Sequence, residues 1–201
     1  TAVLNGFTIT NGLAGNGGGI TLNNTGPTLT NLIVSNNVAT DQGGGIFGDV
    51  NSSPIIINTK IKNNTAELGG GGLAFSSDCQ PRLDDVIIRE NNTLSSSVSG
   101  GGGAVFLYEC SPIFNNVTIE NNNSASYGGG IRTYYSILLS TGGTIRDNIA
   151  THKGGGVYFD NGTYNNSATN LIGNQTGNDG YGGGLYALSA TLTLENLKIN
   201  N

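Results

Sequence analysis

Charged residues are scarce in this 201-residue chain, at 10% of the sequence, and tryptophan and methionine are absent. Eight lysines and arginines face thirteen acidic residues, which gives a net charge of −5. That balance argues against a nucleic-acid partner, because such a partner requires a basic face. No apolar run approaches the roughly 20 residues of a membrane span, and no stretch keeps a helical period. We therefore predict no nucleic-acid binding, no membrane insertion and no helical fold.

Metal-ligating side chains are equally rare, with one histidine and two cysteines in the whole chain. His152 falls in a different repeat from Cys79 and Cys110, whereas a zinc site needs about four such ligands together. No isolated cluster of acids stands out as a catalytic centre. We therefore predict no metal, no other cofactor and no catalytic residues, although catalysis stays open.

Glycine is abundant instead, with 34 residues, and it recurs in runs at a fixed phase. Seven runs of three or four glycines precede an apolar or small residue, which is Ile20, Ile46, Leu73, Ala104, Ile131, Val157 and Leu185 in turn. A flexible linker would not keep a period of about 26–31 residues, so the runs indicate a repeat architecture. At a tight corner, glycine supplies a positive φ or a close backbone approach.

The second half of each repeat alternates apolar and polar residues in short runs, as in "PTLTNLIVSNN" and "PIFNNVTIENN". This period of two predicts strands, and one repeat per coil predicts an all-β parallel β-helix, or β-solenoid, of about seven coils. Asparagine recurs two residues after the main apolar residue of this strand. We expect these asparagines to stack as a buried ladder with amide hydrogen bonds from coil to coil. The predicted ladder consists of Asn11, Asn36, Asn63, Asn121, Asn174 and Asn201.

The two cysteines occupy matching places in consecutive repeats. Cys79 lies six residues after Leu73, Cys110 lies six after Ala104, and each is followed by one residue and then proline. Stacked coils would place their Cα atoms about 4.8 Å apart, which suits a disulfide. We predict a Cys79–Cys110 disulfide and hence an oxidising, extracellular compartment. Two stacked free thiols are the alternative.

Several Asn-x-Ser/Thr sequons are candidates for glycosylation in a secreted protein. The better candidates follow the glycine-run strand, namely Asn23, Asn51, Asn161 and Asn165. Further candidates are Asn91, Asn116 and Asn122, and ordinary turn asparagines are the alternative for the whole set.

Two outward-facing columns are the remaining surface features. Lys62, Arg89, Glu120 and Arg146 should be neighbours in successive coils, either as a solvated charge ladder or as a site for an anionic sugar. Tyrosines gather in the last third of the chain, and Tyr158 should stack on Tyr186. We predict that Tyr134, Tyr135, Tyr158 and Tyr186 form a surface for carbohydrate or for a partner.

The chain opens in mid-repeat at "TAVLNGFTITN" and closes in the same phase at "TLTLENLKINN". Open strand edges invite pairing, so solenoids need caps or continuation. We expect residues 1–201 to be a single β-helix domain that is a segment of a longer protein or a unit that stacks on copies of itself.

The motifs "GGGI", "GGGV" and "GGGL", together with "NLIV", "NTKI", "NVTI" and "NLKI", resemble those of right-handed parallel β-helix repeat proteins. They are most similar to the repeats of polymorphic outer-membrane and other large surface proteins in the pectate-lyase-like superfamily. The resemblance covers nearly the whole chain, although the third glycine and the asparagine positions depart from the outer-membrane repeats. It implies a right-handed coil, surface display and an adhesive or scaffold role, with carbohydrate-active enzymes on the same fold.

The first hypothesis is an extracellular structural or adhesive solenoid, glycosylated and assembled end to end into a fibre. The alternative is a polysaccharide lyase or hydrolase, with bases or acids drawn from Lys62, Arg89, Glu120, Arg146 and Asp147, or from Asp84 with Asp85. Ice binding would need a regular Thr-x-Thr in every coil, which the sequence lacks.

Overall fold

The computed structural model describes residues 2–200, and this part of the chain is all-β with no helix. It forms a parallel β-solenoid with three sheets, which contain twelve, eight and seven strands. Each sheet extends along the solenoid axis, because its strands come from successive coils. Equivalent residues of successive coils pair in register, as Ile61 does with Val34 on one side and Ile88 on the other. The predicted fold class is confirmed.

The first sheet consists of β1 (Val3–Asn5), β4 (Ile20–Asn23), β5 (Thr28–Thr30), β8 (Ile46–Asp49), β9 (Ile55–Ile57), β12 (Leu73–Ser76), β13 (Arg82–Asp84), β16 (Val105–Tyr108), β17 (Ile113–Asn115), β20 (Ile131–Thr141), β23 (Val157–Ser167) and β26 (Leu185–Glu195). The second sheet consists of β2 (Thr8–Thr10), β6 (Ile33–Ser35), β10 (Lys60–Lys62), β14 (Ile87–Arg89), β18 (Thr118–Glu120), β21 (Thr144–Arg146), β24 (Asn170–Ile172) and β27 (Ile199–Asn200). The third sheet consists of β3 (Leu13–Ala14), β7 (Val38–Ala39), β11 (Thr65–Ala66), β15 (Asn92–Thr93), β19 (Asn123–Ser124), β22 (Ile149–Ala150) and β25 (Gln175–Thr176).

The first sheet changes character along the solenoid. In the earlier coils two short strands flank a turn, whereas β20, β23 and β26 each run through 11 residues. Tyr135, Asn161 and Ser189 lie within these long strands at φ of 51°, 48° and 49°, and the pairing between strands skips these positions and resumes one residue later. The merged strands explain why the later repeats depart from the earlier sequence pattern.

The glycine runs form a corner where the backbones of adjacent coils approach closely. Gly43 has a φ of 68°. A Cβ on Gly44 would lie 2.3 Å from the carbonyl oxygen of Gly71 and 2.5 Å from that of Thr65. Both reasons predicted for glycine, a positive φ and close approach, therefore apply at this corner.

The predicted phase of the fourth glycine run is wrong by one residue. Val105, not Ala104, pairs with Leu73 and with Ile131. Ala104 takes the place of a glycine, since its carbonyl accepts hydrogen bonds from the N–H groups of Gly72 and Leu73. Because alanine replaces the last glycine of this corner, the strand begins one residue later than the end of the glycine run indicates.

The asparagine ladder exists, but it lies one residue further along than predicted. Its buried members are Asn37, Asn64, Asn91, Asn122, Asn148 and Asn174. From Asn37 to Asn148, each Nδ2 donates to the Oδ1 of the next coil at 2.9–3.0 Å, and the backbone N–H of the same residue donates to that oxygen.

The predicted members Asn11, Asn36, Asn63 and Asn121 are exposed and have φ between 55° and 60°. This left-handed residue turns the corner, and the next residue points inward. Asn174 is a true member of the ladder. In its coil the inward residue of the strand is Leu171 and not Ile172, because Leu171 pairs with Ile145. The ladder position three residues later is therefore Asn174. Asn201, the last predicted member, lies outside the described residues.

The core is filled by inward columns from the sheets, and one of them contains a polar side chain without a partner. Thr133 is fully buried between Leu107 and Phe159 in the strand register, and its hydroxyl has no hydrogen-bond partner. Such a group retains its desolvation cost with no compensating bond.

We expect Thr133→Val to raise the free energy of unfolding by about 1 kcal/mol, because valine has nearly the same shape and no hydroxyl. Denaturant unfolding monitored by circular dichroism measures the change. The matched control is Thr169→Val, since the Thr169 hydroxyl donates to the Gly142 carbonyl at 2.6 Å. That variant should be destabilised, and a loss of stability in both variants would contradict the interpretation of Thr133.

Candidate functional site

A cleft of about 650 Å³ lies on the outer face of the first sheet, where it crosses β12, β16, β20 and β23. Alternation along these strands points Leu107 and Phe159 into the core and their neighbours outward. The outward residues Phe106, Tyr108 and Tyr134 form part of the cleft. Its volume is within the range of small-molecule sites in proteins.

Tyrosine rings dominate the cleft and stack along the solenoid axis. Tyr108 and Tyr134 pair in register, and their ring centroids are 5.7 Å apart with planes inclined by 17°. Tyr127 stacks on Tyr158 at 4.9 Å, and Tyr158 stacks on Tyr186 at 5.4 Å. The rings thus form two separate stacks, Tyr108 with Tyr134 and Tyr127 with Tyr158 and Tyr186.

Arg132 lies in the middle of this aromatic group and is only 6% exposed. Its guanidinium carbon is 5.3 to 5.8 Å from the ring centroids of Phe106, Tyr127 and Tyr158, in cation–π geometry. Its Nη2 donates to the Val98 carbonyl at 2.7 Å, whereas Nε and Nη1 have no hydrogen-bond partner. Burial lowers the pKa of Arg132, but arginine stays charged at neutral pH.

Asp160 is the acidic residue of the cleft lining and is 9% exposed. Its carboxylate accepts hydrogen bonds from Asn161 Nδ2 at 2.8 Å and from the Tyr158 hydroxyl at 3.5 Å. Burial, and then the Asp160 charge, raise the pKa of Tyr158 to about 12. Tyr158 is therefore protonated at neutral pH and unsuited to act as a base there.

The wall of the cleft comes from the insertion that lengthens the fourth repeat. Val98 and Ser99 of this insertion line the cleft. Two side chains of the following coil hold the insertion, since Arg132 donates to the Val98 carbonyl and Ser126 Oγ donates to the Ser97 carbonyl at 2.7 Å. Val98 itself is 70% exposed.

The structure divides the predicted tyrosine surface. Tyr134 and Tyr158 line the cleft, Tyr186 backs Tyr158, and Tyr135 is 52% exposed beside Tyr134. The predicted stacking of Tyr158 on Tyr186 is confirmed.

Sequence reasoning missed Arg132, Asp160, Tyr108 and Tyr127. The phase of the glycine runs does indicate the position of Arg132. This residue directly follows Ile131, and it therefore shares an outward column with Phe106 and Tyr158.

The other charged residues considered for catalysis lie apart from the cleft lining. Lys62, Arg89, Glu120 and Arg146 are neighbours in the second sheet, as predicted, and Glu120 forms an ion pair with Arg146. Asp147 lies 3.7 Å from Arg146. Asp84 pairs with Arg82, and Asp85 accepts a hydrogen bond from Asn116 Nδ2 at 2.7 Å. These groups do not meet Asp160 to form the carboxylate pair that a glycoside hydrolase uses.

Cys79 and Cys110 are buried neighbours in adjacent coils, and both are free cysteines in the structure. The pairing offset between these two coils changes by one residue between Ser76–Tyr108 and Arg82–Ile113. Cys79 and Cys110 therefore still align, although the glycine-run strand of the second coil begins one residue later than predicted. Each thiol donates to a backbone carbonyl, Cys79 to Ser76 at 2.9 Å and Cys110 to Tyr108 at 3.2 Å. The interaction between the two neighbouring thiols lowers the pKa of Cys79 and, with burial, raises that of Cys110. The structure contains no bond between them, and the disulfide stays a prediction.

The sequons fall into two groups. Asn23, Asn51 and Asn116 are exposed, and Asn161 and Asn165 are half-buried, so their glycosylation stays a prediction. Asn91 and Asn122 are buried members of the asparagine ladder, where both amide hydrogens face acceptors. A glycan on either amide would remove these bonds, so the structure contradicts these two as glycosylation sites of the folded protein.

Within residues 2–200 no group of three or more His, Cys, Asp or Glu side chains could hold a metal ion. The same residues contain no helix of the length and hydrophobicity needed to cross a membrane.

Comparisons with known proteins bear on the family. Searches of curated proteins and of solved structures returned no match. The family model described as "right handed beta helix region" matches residues 2–136. The chain therefore belongs to the right-handed β-helix family.

Proposed function

We propose that the chain is an extracellular structural or adhesive β-solenoid whose cleft binds carbohydrate. The observation that carries the proposal is a cleft of about 650 Å³ lined by tyrosines in two stacks, Tyr108 on Tyr134 and Tyr127 on Tyr158. The C–H groups of a sugar can pack on the tyrosine ring surface that the stacks leave uncovered, while tyrosine hydroxyls and polar side chains bond its hydroxyl groups.

The rest of the proposal concerns the setting of the solenoid. Glycans on the exposed sequons and a Cys79–Cys110 disulfide would fit a secreted protein. Copies of the chain stacked end to end are the proposed protein partner, and the parallel register shared by successive coils supports this, because an added coil would meet the same pattern of backbone groups.

Carbohydrate cleavage is the second candidate function, and Asp160 in the cleft favours it. A single carboxylate does not supply both the acid and the base of a hydrolase. Tyr158, with its pKa of about 12, is a poor base for elimination at neutral pH. We therefore expect binding without cleavage, so oligosaccharides incubated with the protein should keep their length in mass spectra.

A panel of immobilised oligosaccharides tests binding. We expect the wild-type chain to bind a subset of the panel and Tyr134→Ala to weaken that binding by about tenfold, because one of two paired ring faces is lost. Tyr181→Ala is the control, since Tyr181 is 64% exposed and does not line the cleft. Absence of binding across the panel, or equal losses in both variants, would contradict the proposal.

A further inference from the structure

Arg132 is a buried charge without an ionic partner. Within residues 2–200 the ion pairs are Arg82 with Asp84 and Arg146 with Glu120 and Asp147, and none includes Arg132. Buried charges are normally paired, because an unpaired one loses its hydration without compensation. Three ring faces and the Val98 carbonyl provide only partial compensation.

Asp160 does not take the place of that partner. It is the acidic residue of the cleft lining, but its two oxygens accept hydrogen bonds from Asn161 and Tyr158. The cleft therefore contains a cation with unused donors and a carboxylate whose two oxygens already accept hydrogen bonds. A ligand with one anionic group and several hydroxyl groups matches this division, with the hydroxyl groups toward Asp160.

The Val98 carbonyl occupies the place that an anion would take. It is a neutral acceptor on an exposed insertion, and a carboxylate or sulfate oxygen makes a stronger hydrogen bond to guanidinium than a neutral carbonyl does. Arginine also offers a planar pair of donors suited to such groups. The Nε and Nη1 donors are buried and unused, and they would give a second contact if an anion displaced the insertion.

We infer that the cleft selects carbohydrates that carry a carboxylate or sulfate group, which binds Arg132 in exchange for the Val98 carbonyl. This inference rests on the proposed carbohydrate-binding function and specifies its ligand class. The net charge of −5 gives no general attraction for anions, so the preference has to come from the local site.

The test uses the full chain and a panel in which each neutral oligosaccharide is matched by carboxylated and sulfated forms of the same backbone. We expect the wild type to bind one or both anionic forms on the order of tenfold or more tighter than the neutral form. Arg132→Gln should remove that preference. The matched control is Arg146→Gln, which makes the same charge change outside the cleft lining and should leave the preference intact.

Each outcome decides a separate point. Carboxylate and sulfate arms distinguish the two anionic groups that Arg132 can receive. Equal binding of neutral and anionic forms would overturn the inference and leave the proposed function standing, whereas no binding to any form would overturn both. If Arg132→Gln does not fold, the wild-type preference decides, together with competition by free sulfate, which should weaken binding of the anionic forms only.

Discussion

Asn64→Ala is expected to lower the free energy of unfolding by about 3–5 kcal/mol. The Asn64 Oδ1 accepts from the backbone N–H and the Nδ2 of Asn37, and its own Nδ2 donates to the Val34 carbonyl and to Asn91 Oδ1. Alanine removes all four bonds at a fully buried position and leaves the Asn37 N–H without an acceptor. Denaturant unfolding of the purified variant measures the loss.

The neighbouring residue provides the control. Asn63 is exposed and has a φ of 55°, a conformation that glycine adopts readily. Asn63→Gly should therefore change the free energy of unfolding by less than about 1 kcal/mol. A larger loss for Asn63→Gly than for Asn64→Ala would show that the residue originally predicted, and not its neighbour, carries the ladder.

Gly71→Ala is expected to be more disruptive still, with a loss above about 4 kcal/mol or failure to accumulate as folded protein. A Cβ on Gly71 would lie 2.5 Å from the carbonyl oxygens of both Asn92 and Gly103. Both atoms belong to the backbone, so neither can move without displacing a strand or the corner of the next coil. Yield of soluble protein and the midpoint of thermal unfolding would report the effect.

Gly15→Ala is the matched substitution in open space. A Cβ on Gly15 meets no atom within 4 Å, and its φ is outside the left-handed region. Alanine there should be neutral or slightly stabilising, because it restricts the unfolded chain. Similar losses for the two glycine variants would show that backbone freedom, and not close approach between coils, explains the glycine runs.

Sequence alone predicts the fold well, because each residue type that the fold needs recurs at the same position in successive repeats. The corner glycines recur once per coil, and so does the inward apolar residue of the second sheet, as Ile61 and Ile88 show. Together they define how the coils stack. Errors of one residue arise where the backbone turns. Asn63 and Asn64 are both asparagine, and only the left-handed φ of Asn63 decides which of them points inward.

The candidate site is less predictable because its walls come from different coils. Val98 lies in an insertion without the repeat pattern, Tyr127 precedes the next glycine run, and Arg132 follows it. Their meeting depends on how the insertion folds across the outer face. The chemistry of each residue is visible in the sequence, whereas their convergence is a property of the folded chain.

The asparagine ladder also gives the solenoid a polarity. From Asn37 to Asn148 every bond between two side-chain amides runs the same way, from the Nδ2 of one coil to the Oδ1 of the following coil. A unit that prolonged this row would have to face the same way, since a reversed unit would oppose two oxygens or two NH₂ groups. Head-to-tail contact of this kind would generate a filament with distinguishable ends wherever the rotation between units does not close a ring.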